Sequence, residues 1–321
     1  MSTCSHIYPL KLSYVTKTAL WGGRKLIEEY GKFYNGEKLS ESWELTCRTP
    51  EECSMIENGS CAGMLLLDYF GDYGKELIGK EYKADRFPLL IKWIDAADSL
   101  SVQVHPDDAY ALAHEKDPGK TEMWYIAEAE EGASLIYGLA DGMTAEDFRA
   151  AVARGEIGSA MRRIPVKKGE CYFIPSGMLH AIGAGIVIAE IQQNSDLTYR
   201  VYDFDRRDAK GNLRELHIEK ALDVVRPFTD EEIRAVRFSE GEQEDALAHC
   251  RYFCVRHMHA QDGEIAVSEQ SFVHVLCTYG EGYLVFDKEK YPIKKGESYL
   301  LPASLGVCKT EGNAEFLLSS I

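Results

Sequence analysis

Four residues of this chain have the types and spacing of a metal site: Gln103, His105, Glu122 and His180. In Gln103-Val104-His105 the two-residue period of a strand puts the amide and the imidazole on one face, so both can address one inward point. His180 closes the run Gly169-Glu170-Cys171-Tyr172-Phe173-Ile174-Pro175-Ser176-Gly177-Met178-Leu179-His180. There Tyr172-Phe173-Ile174 reads as a buried strand, Pro175 and Gly177 impose a tight turn, and His180 opens the next strand facing inward. Two imidazoles, the Glu122 carboxylate and an amide oxygen suit a divalent metal of intermediate softness, with positions left for water or substrate. Zinc, one ion per chain, is the first choice, with Mn, Fe and Co as alternatives.

The other histidines read as ordinary. His257, His259 and His274 are followed by no matching turn or carboxylate despite the His-Met-His spacing, and His114 and His217 fall in helix-like segments. A chain of 321 residues with 45% hydrophobic residues can bury one large core or two modest ones. Its formal charge of -16, without a long basic run, excludes nucleic acid as the expected partner. An anionic metabolite would then need a few cations gathered in one pocket. Nine cysteines without a CxxC pair read as free thiols of a cytoplasmic protein. No run approaches ~18 apolar residues, and the first residues lack a basic segment followed by an apolar core, so no membrane association is expected.

Positioning such a site falls to short strands. Apolar and β-branched runs such as Phe87 to Ile94, Gly185 to Ile191 and Phe272 to Phe286, punctuated by Gly, Pro, Asn and Asp, predict a mostly β sandwich or barrel. Helices are expected at Pro106 to Glu115, Thr144 to Arg154 and Leu216 to Val225. The run Lys167-Lys168-Gly169-Glu170-Cys171-Tyr172-Phe173-Ile174-Pro175-Ser176 is echoed by Lys294-Lys295-Gly296-Glu297-Ser298-Tyr299-Leu300-Leu301-Pro302-Ala303, which suggests two related β-modules. In that alignment Val307 stands opposite His180, so the second module is expected to carry no metal. The acidic stretch Thr229 to Ala248 reads as a linker, giving domains 1–240 and 241–321.

The Gly, Pro, Gly, His spacing of 169–180 resembles the second signature of the cupin superfamily. Over roughly residues 7 to 210 the chain resembles type I mannose-6-phosphate isomerases in their short bacterial form. The likeness rests on Glu41-Ser42-Trp43-Glu44-Leu45, Phe87-Pro88-Leu89-Leu90-Ile91-Lys92, Leu100-Ser101-Val102-Gln103-Val104-His105-Pro106-Asp107-Asp108, Gly119-Lys120-Thr121-Glu122-Met123-Trp124-Tyr125, Pro175-Ser176-Gly177-Met178-Leu179-His180-Ala181 and Asn194-Ser195-Asp196-Leu197-Thr198-Tyr199-Arg200. The resemblance implies two cupin-like jelly-roll β-barrel modules with a few added helices. It also implies a zinc-dependent aldose–ketose isomerase interconverting mannose 6-phosphate and fructose 6-phosphate through a cis-enediol. The family's Gln, His, Glu and His ligands map to Gln103, His105, Glu122 and His180. Gln-x-His replaces the usual cupin His-x-His, a departure shared with the isomerase. Many family members carry a histidine where this chain has Gly119, so no role for that histidine transfers.

Such a reaction needs a base within reach of C1 and C2. Glu190 follows His180 at an even spacing on the next strand-like run, and Lys120 stands two residues before Glu122; either could serve, or the two could form a structural ion pair. Arg200 is the expected phosphate or enediolate partner, with Lys92 and Lys120 as point charges and Ser101 and Ser42 as hydrogen-bond donors. Trp43 and Trp124 are expected in the core. A cupin oxygenase, a cupin-type glucose-6-phosphate isomerase and a non-catalytic sugar-binding protein are the competing readings. The expected partner is a small sugar phosphate, and the expected state a monomer or weak homodimer.

Overall fold

The alternating runs become antiparallel strands. Leu89–Ala96 and Ile186–Gln193 pair with each other over eight residues, and Ile186–Gln193 pairs on its other edge with Glu122–Ala129. Every residue of the first two is buried, as expected of central strands covered on both faces. Val15–Lys17, Glu41–Leu45 and Cys171–Ile174 complete a six-stranded sheet. A five-stranded sheet runs in the order Tyr199–Tyr202, Val102–Val104, His180–Ile182, Ser134–Leu139, Met161–Pro165. This computed structural model describes residues 6–207, 210–261 and 263–321; Cys4 and the start of the chain lie outside the described residues.

A third sheet of eight strands is built around the long partners Val273–Phe286 and Gly306–Ser320. It also takes in Leu10–Lys11, which pairs with Leu300 and Tyr299. A cut near residue 240 would therefore remove a strand from the C-terminal sheet. The sequence echo is a structural one: Gly169 and Gly296 both take positive φ (88° and 91°) in the turns that lead into Cys171–Ile174 and Ser298–Leu301. Only glycine adopts that conformation without strain. At Gly296 an added Cβ would also lie 2.3 Å from the Tyr30 carbonyl oxygen, because this turn docks against the N-terminal module.

The expected helices form with local caps. Asp107 caps Asp108–His114, Thr144 caps Ala145–Ala153 in a reciprocal capping box with Asp147, and Ile218–Val224 follows His217. The linker expectation for Thr229 to Ala248 fails. Thr229 and Glu232 form a second capping box that starts the helix Asp230–Arg237, and Ala246–His249 is a strand. Charged residues around a buried Ile233 are the solvated face of an amphipathic helix, which composition alone does not distinguish from a linker. Leu66–Tyr73 is a helix that the sequence reading did not foresee. Among the described residues no helix is long and apolar enough to cross a membrane, and Cys47, Cys53, Cys61, Cys171, Cys250, Cys254, Cys277 and Cys308 are unpaired.

A buried ion pair fastens the two modules. Lys32 Nζ lies 2.7 Å from Glu44 and donates to the Gly296 carbonyl at 2.6 Å, and Ser42 donates its hydroxyl to the same Glu44 at 2.6 Å. Burial pushes the Lys32 amine down and the Glu44 carboxyl up, while each charge favours the other. Removing one partner strands the other charge in the core. Lys32→Met should cost about 3–5 kcal/mol in chemical denaturation, and Lys32→Met/Glu44→Leu should recover most of that loss; equal stability of Lys32→Met and the native chain would contradict the assignment.

Candidate metal centre

Strand register gathers the candidates. On the five-stranded sheet Gln103 pairs with His180 on one side and with Arg200 on the other, so three predicted site residues form one row across neighbouring strands. From the facing sheet, Glu122 opens its strand, while Glu190 pairs with Lys92 on one side and Trp124 on the other. Each position follows from the two-residue period together with the pairing register, the second of which a single sequence does not display.

At the centre, His105, Glu122 and His180 bring ligand atoms within 4.8 Å of one another, all buried. His105 Nδ1 lies 2.7 Å from the Leu197 carbonyl and His180 Nδ1 lies 2.8 Å from the Met178 carbonyl. A carbonyl can only accept, so both Nδ1 atoms donate and the neutral rings present bare Nε2 lone pairs inward. Those two Nε2 atoms sit 3.2 Å apart. Glu122 oxygens lie 3.6 Å from His105 Nε2 and 3.4 Å from His180 Nε2, and neither imidazole donates to them. The Gln103 amide nitrogen is 3.3 Å from His180 Nε2; rotating the amide by a half-turn places its oxygen there instead. Converging lone pairs with no proton between them repel, and a cation at their focus removes that repulsion. The residues thus fit a divalent metal, with the carbonyl-anchored imidazoles that metal sites use to fix ring orientation.

Electrostatics agree. Burial, reinforced by Lys120 and the neighbouring imidazole, holds His105 well below the usual histidine range, and burial with Lys120 brings His180 down to about 4. Both rings are therefore neutral ligands at pH 7. Burial and the Glu190 charge push Glu122 up to about 7 against the pull of Lys120 and Lys92. Burial would raise Glu190 also, but Lys120 and Lys92 prevail and hold it down to about 2.

The centre opens into a cleft of about 320 Å³ lined by Glu41, Lys92, Ser101, Gln103, Lys120, Glu190, Asp196, Arg200 and Arg214, among others. Lys92 Nζ lies 3.1 Å from Glu190 Oε1 and 3.7 Å from Glu41, so it is already engaged by carboxylates. Lys120 Nζ lies 3.0 Å from Glu122 and 3.9 Å from Glu190. Trp124 is core, as expected, and its indole N–H donates to Glu190 Oε2 at 3.0 Å; Trp43 is buried and donates to Glu41. Ser101 lines the cleft and accepts a hydrogen bond from Arg200 Nε at 3.2 Å. Ser42 does not line it. Its strand alternates Glu41 toward the cleft and Ser42 toward the opposite face, where its hydroxyl is fully buried on Glu44, so the substrate-binding expectation for Ser42 is withdrawn.

Arg214 is the residue the sequence reading missed. It approaches Asp203 at 3.5 Å, but Asp203 is already paired with Arg206 at 2.5 Å, and the charges of both arginines act on Arg200. Burial, then the charge of Arg214, lowers the Arg200 guanidinium from its ordinary value. A cluster of cations in a chain of charge -16 was the available signal. His217, read as an ordinary helix residue, holds Arg200 in place: its Nδ1 accepts the Arg200 N–H at 3.2 Å and its own N–H donates to the Arg200 carbonyl at 2.7 Å. His257 and His259 face Glu315 in the C-terminal module, away from this centre.

Comparison with known proteins places this geometry in a family. Residues 10–149 match the family description "Phosphomannose isomerase type I, catalytic domain", and residues 243–321 match "Mannose-6-phosphate isomerase, cupin domain". The chain is 38% identical to the mannose-6-phosphate isomerase ManA of Bacillus subtilis, covering 98% of this chain and 99% of that one. It is 37% identical to the mannose-6-phosphate isomerase of Streptococcus mutans, covering 97% and 98%. A crystal structure of the mannose 6-phosphate isomerase from Bacillus subtilis superimposes with a TM-score of 0.86 at 33% identity over 98% of this chain and 99% of that chain. A phosphomannose isomerase variant from Salmonella typhimurium, at 17% identity and a TM-score of 0.74 over 97% and 98%, shares the fold. With near full-length identity, both domain matches and the buried His, Glu, His cluster in agreement, the chain belongs to the type I phosphomannose isomerase family.

Proposed function

We propose that the chain interconverts mannose 6-phosphate and fructose 6-phosphate through a cis-enediol, with one zinc ion held by Gln103, His105, Glu122 and His180. The observation that carries the reading is that Gln103, Lys120, Glu190 and two arginines line one cleft, with the buried His105, Glu122 and His180 cluster directly behind Gln103 and Lys120. Zinc, when bound, supplies Lewis acidity toward the sugar oxygens without redox change.

The chain's own groups account for the rest. Isomerisation takes the C2 hydrogen away as a proton, returns a proton to C1 and moves the O2 proton to O1. Glu190 is ionised at every physiological pH; Trp124 holds its Oε2 and Lys92 lies 3.1 Å from its Oε1, and it is the cleft carboxylate that accepts the C2 proton. Lys120, within 3.9 Å of Glu190 Oε1, donates to the sugar oxygens as charge develops on them. The phosphate falls to Arg200 and Arg214, not to the lysines, because both lysines already sit against carboxylates. Two guanidiniums sharing the cleft match a dianion with charge-assisted, fork-shaped contacts. Unpaired cysteines support a cytoplasmic location, and the reading takes a monomer or weak homodimer as the working unit.

A coupled assay of metal-quantified protein on mannose 6-phosphate tests the reaction: turnover lost to a chelator and restored by zinc is the expected result, and a fully metallated protein without turnover would contradict it. His180→Ala should lose metal and activity together by elemental analysis, whereas Arg200→Ala should keep its metal while turnover collapses. Arg214→Ala should weaken kcat/KM for the phosphorylated sugar by roughly 10- to 100-fold, the equivalent of one or two charge-assisted contacts at about 1.5–3 kcal/mol, with metal content unchanged.

A further inference from the structure

Two cysteines outside the metal centre stand face to face. Just beyond the strand Glu41–Leu45, Cys47 and Cys53 form an antiparallel bridge. The hydrogen bonds flanking them run from Arg48 N to Glu52 O at 3.1 Å and from Ser54 N to Thr46 O at 2.8 Å. That pattern makes Cys47 and Cys53 a non-hydrogen-bonded pair, in which facing Cα atoms approach to about 4.5 Å and side chains lie closest. A disulfide spans Cα separations of about 4.4–6.8 Å, so the backbone already stands in range. Both cysteines are free and buried, and the Cys53 thiol lies 3.5 Å from the Ser54 carbonyl.

The two sulfurs differ in surroundings. Cys53 is followed by Ser54, whose carbonyl accepts the Leu66 N–H at 3.0 Å, so it stands beside the start of the helix Leu66–Tyr73, which no side chain caps. The neighbouring Cys47 thiol, and then the backbone N–H groups of Leu67 and Leu66 against the cost of burial, hold the Cys53 thiol below its ordinary value. Cys47, which faces Cys53 and is itself buried, is pushed up. Burial raises Cys171, Cys250, Cys254, Cys277 and Cys308. A thiolate at a helix N-terminus beside a second thiol is the arrangement of an attacking and a resolving cysteine.

We propose that Cys47 and Cys53 are a redox-active dithiol that hydrogen peroxide closes into a cross-strand disulfide. The Cys53 thiolate attacks one peroxide oxygen, the O–O bond breaks, hydroxide leaves and takes up the thiolate's original proton as water, and Cys53 becomes a sulfenic acid. The Cys47 sulfur then attacks Cys53, the S–O bond breaks, and the Cys47 proton leaves with the hydroxyl as a second water. Two thiols are oxidised by two electrons, and one peroxide is reduced to two waters. The new bond lies on a segment tied to the substrate cleft: Glu41 of the preceding strand lines the cleft, and Arg48 donates to the carbonyl of Asn194, two residues before the cleft residue Asp196.

The test exposes metal-loaded, full-length protein to a few equivalents of hydrogen peroxide, blocks remaining thiols with N-ethylmaleimide under denaturing conditions, and maps unreduced peptides by mass spectrometry. A Cys47–Cys53 cross-link that forms roughly tenfold faster than oxidation at any other cysteine, and that dithiothreitol reverses, is the expected result. Cys47→Ser should leave Cys53 as a sulfenic acid captured by a dimedone probe. Equal oxidation of all cysteines, a first cross-link involving a different cysteine, or a Cys53 that dimedone does not label in Cys47→Ser would overturn the proposal.

Discussion

The structure depends on the repulsion among buried lone pairs at its centre. Two imidazole Nε2 atoms 3.2 Å apart, beside a buried carboxylate whose close cation is Lys120, aim their lone pairs at one another, which is unfavourable without a cation between them. The fold imposes it through carbonyl anchors on both rings and through strands buried on both faces. A site held this rigidly binds metal with little reorganisation, because its ligands are oriented before the ion arrives.

Around this centre, charge is distributed by pairing rather than by net sign. Lys120 and Lys92 bridge Glu122, Glu190 and Glu41, which keeps Glu190 ionised inside the protein. Of the arginines, Arg206 is held by Asp203 and Asp98, whereas Arg200 and Arg214 line the cleft. The two kinds of cation therefore have different work: the lysines set the protonation of the acid groups, and the arginines face the anionic end of a substrate. Among the described residues the C-terminal module adds none to the lining of this cleft. Its contribution is mechanical, through the Gly296 turn that receives Lys32 and Trp93 from the catalytic module.

Most of the site was legible in the sequence because it depends on short-range periodicity. Gln103 and His105 share a face by strand period alone, and Pro175 and Gly177 announce the turn before His180. What needed the structure was register and facing. Ser42 and Glu41 are neighbours, yet opposite pleats send one to the core and the other to the cleft. Arg214 reaches the cleft from a loop, where no periodicity signals direction. The helix Asp230–Arg237 was hidden by its own solvated face, and the return of Leu10–Lys11 to the C-terminal sheet is a contact between chain ends that no local pattern encodes.

Anomalous diffraction at the zinc edge, on crystals of catalytically active protein, tests the central claim most directly. The account predicts a single strong peak about 2.0–2.2 Å from His105 Nε2, His180 Nε2 and a Glu122 oxygen, with the Gln103 amide oxygen turned toward it. An active protein whose metal peak lies elsewhere, or that shows no peak between these residues, would contradict it.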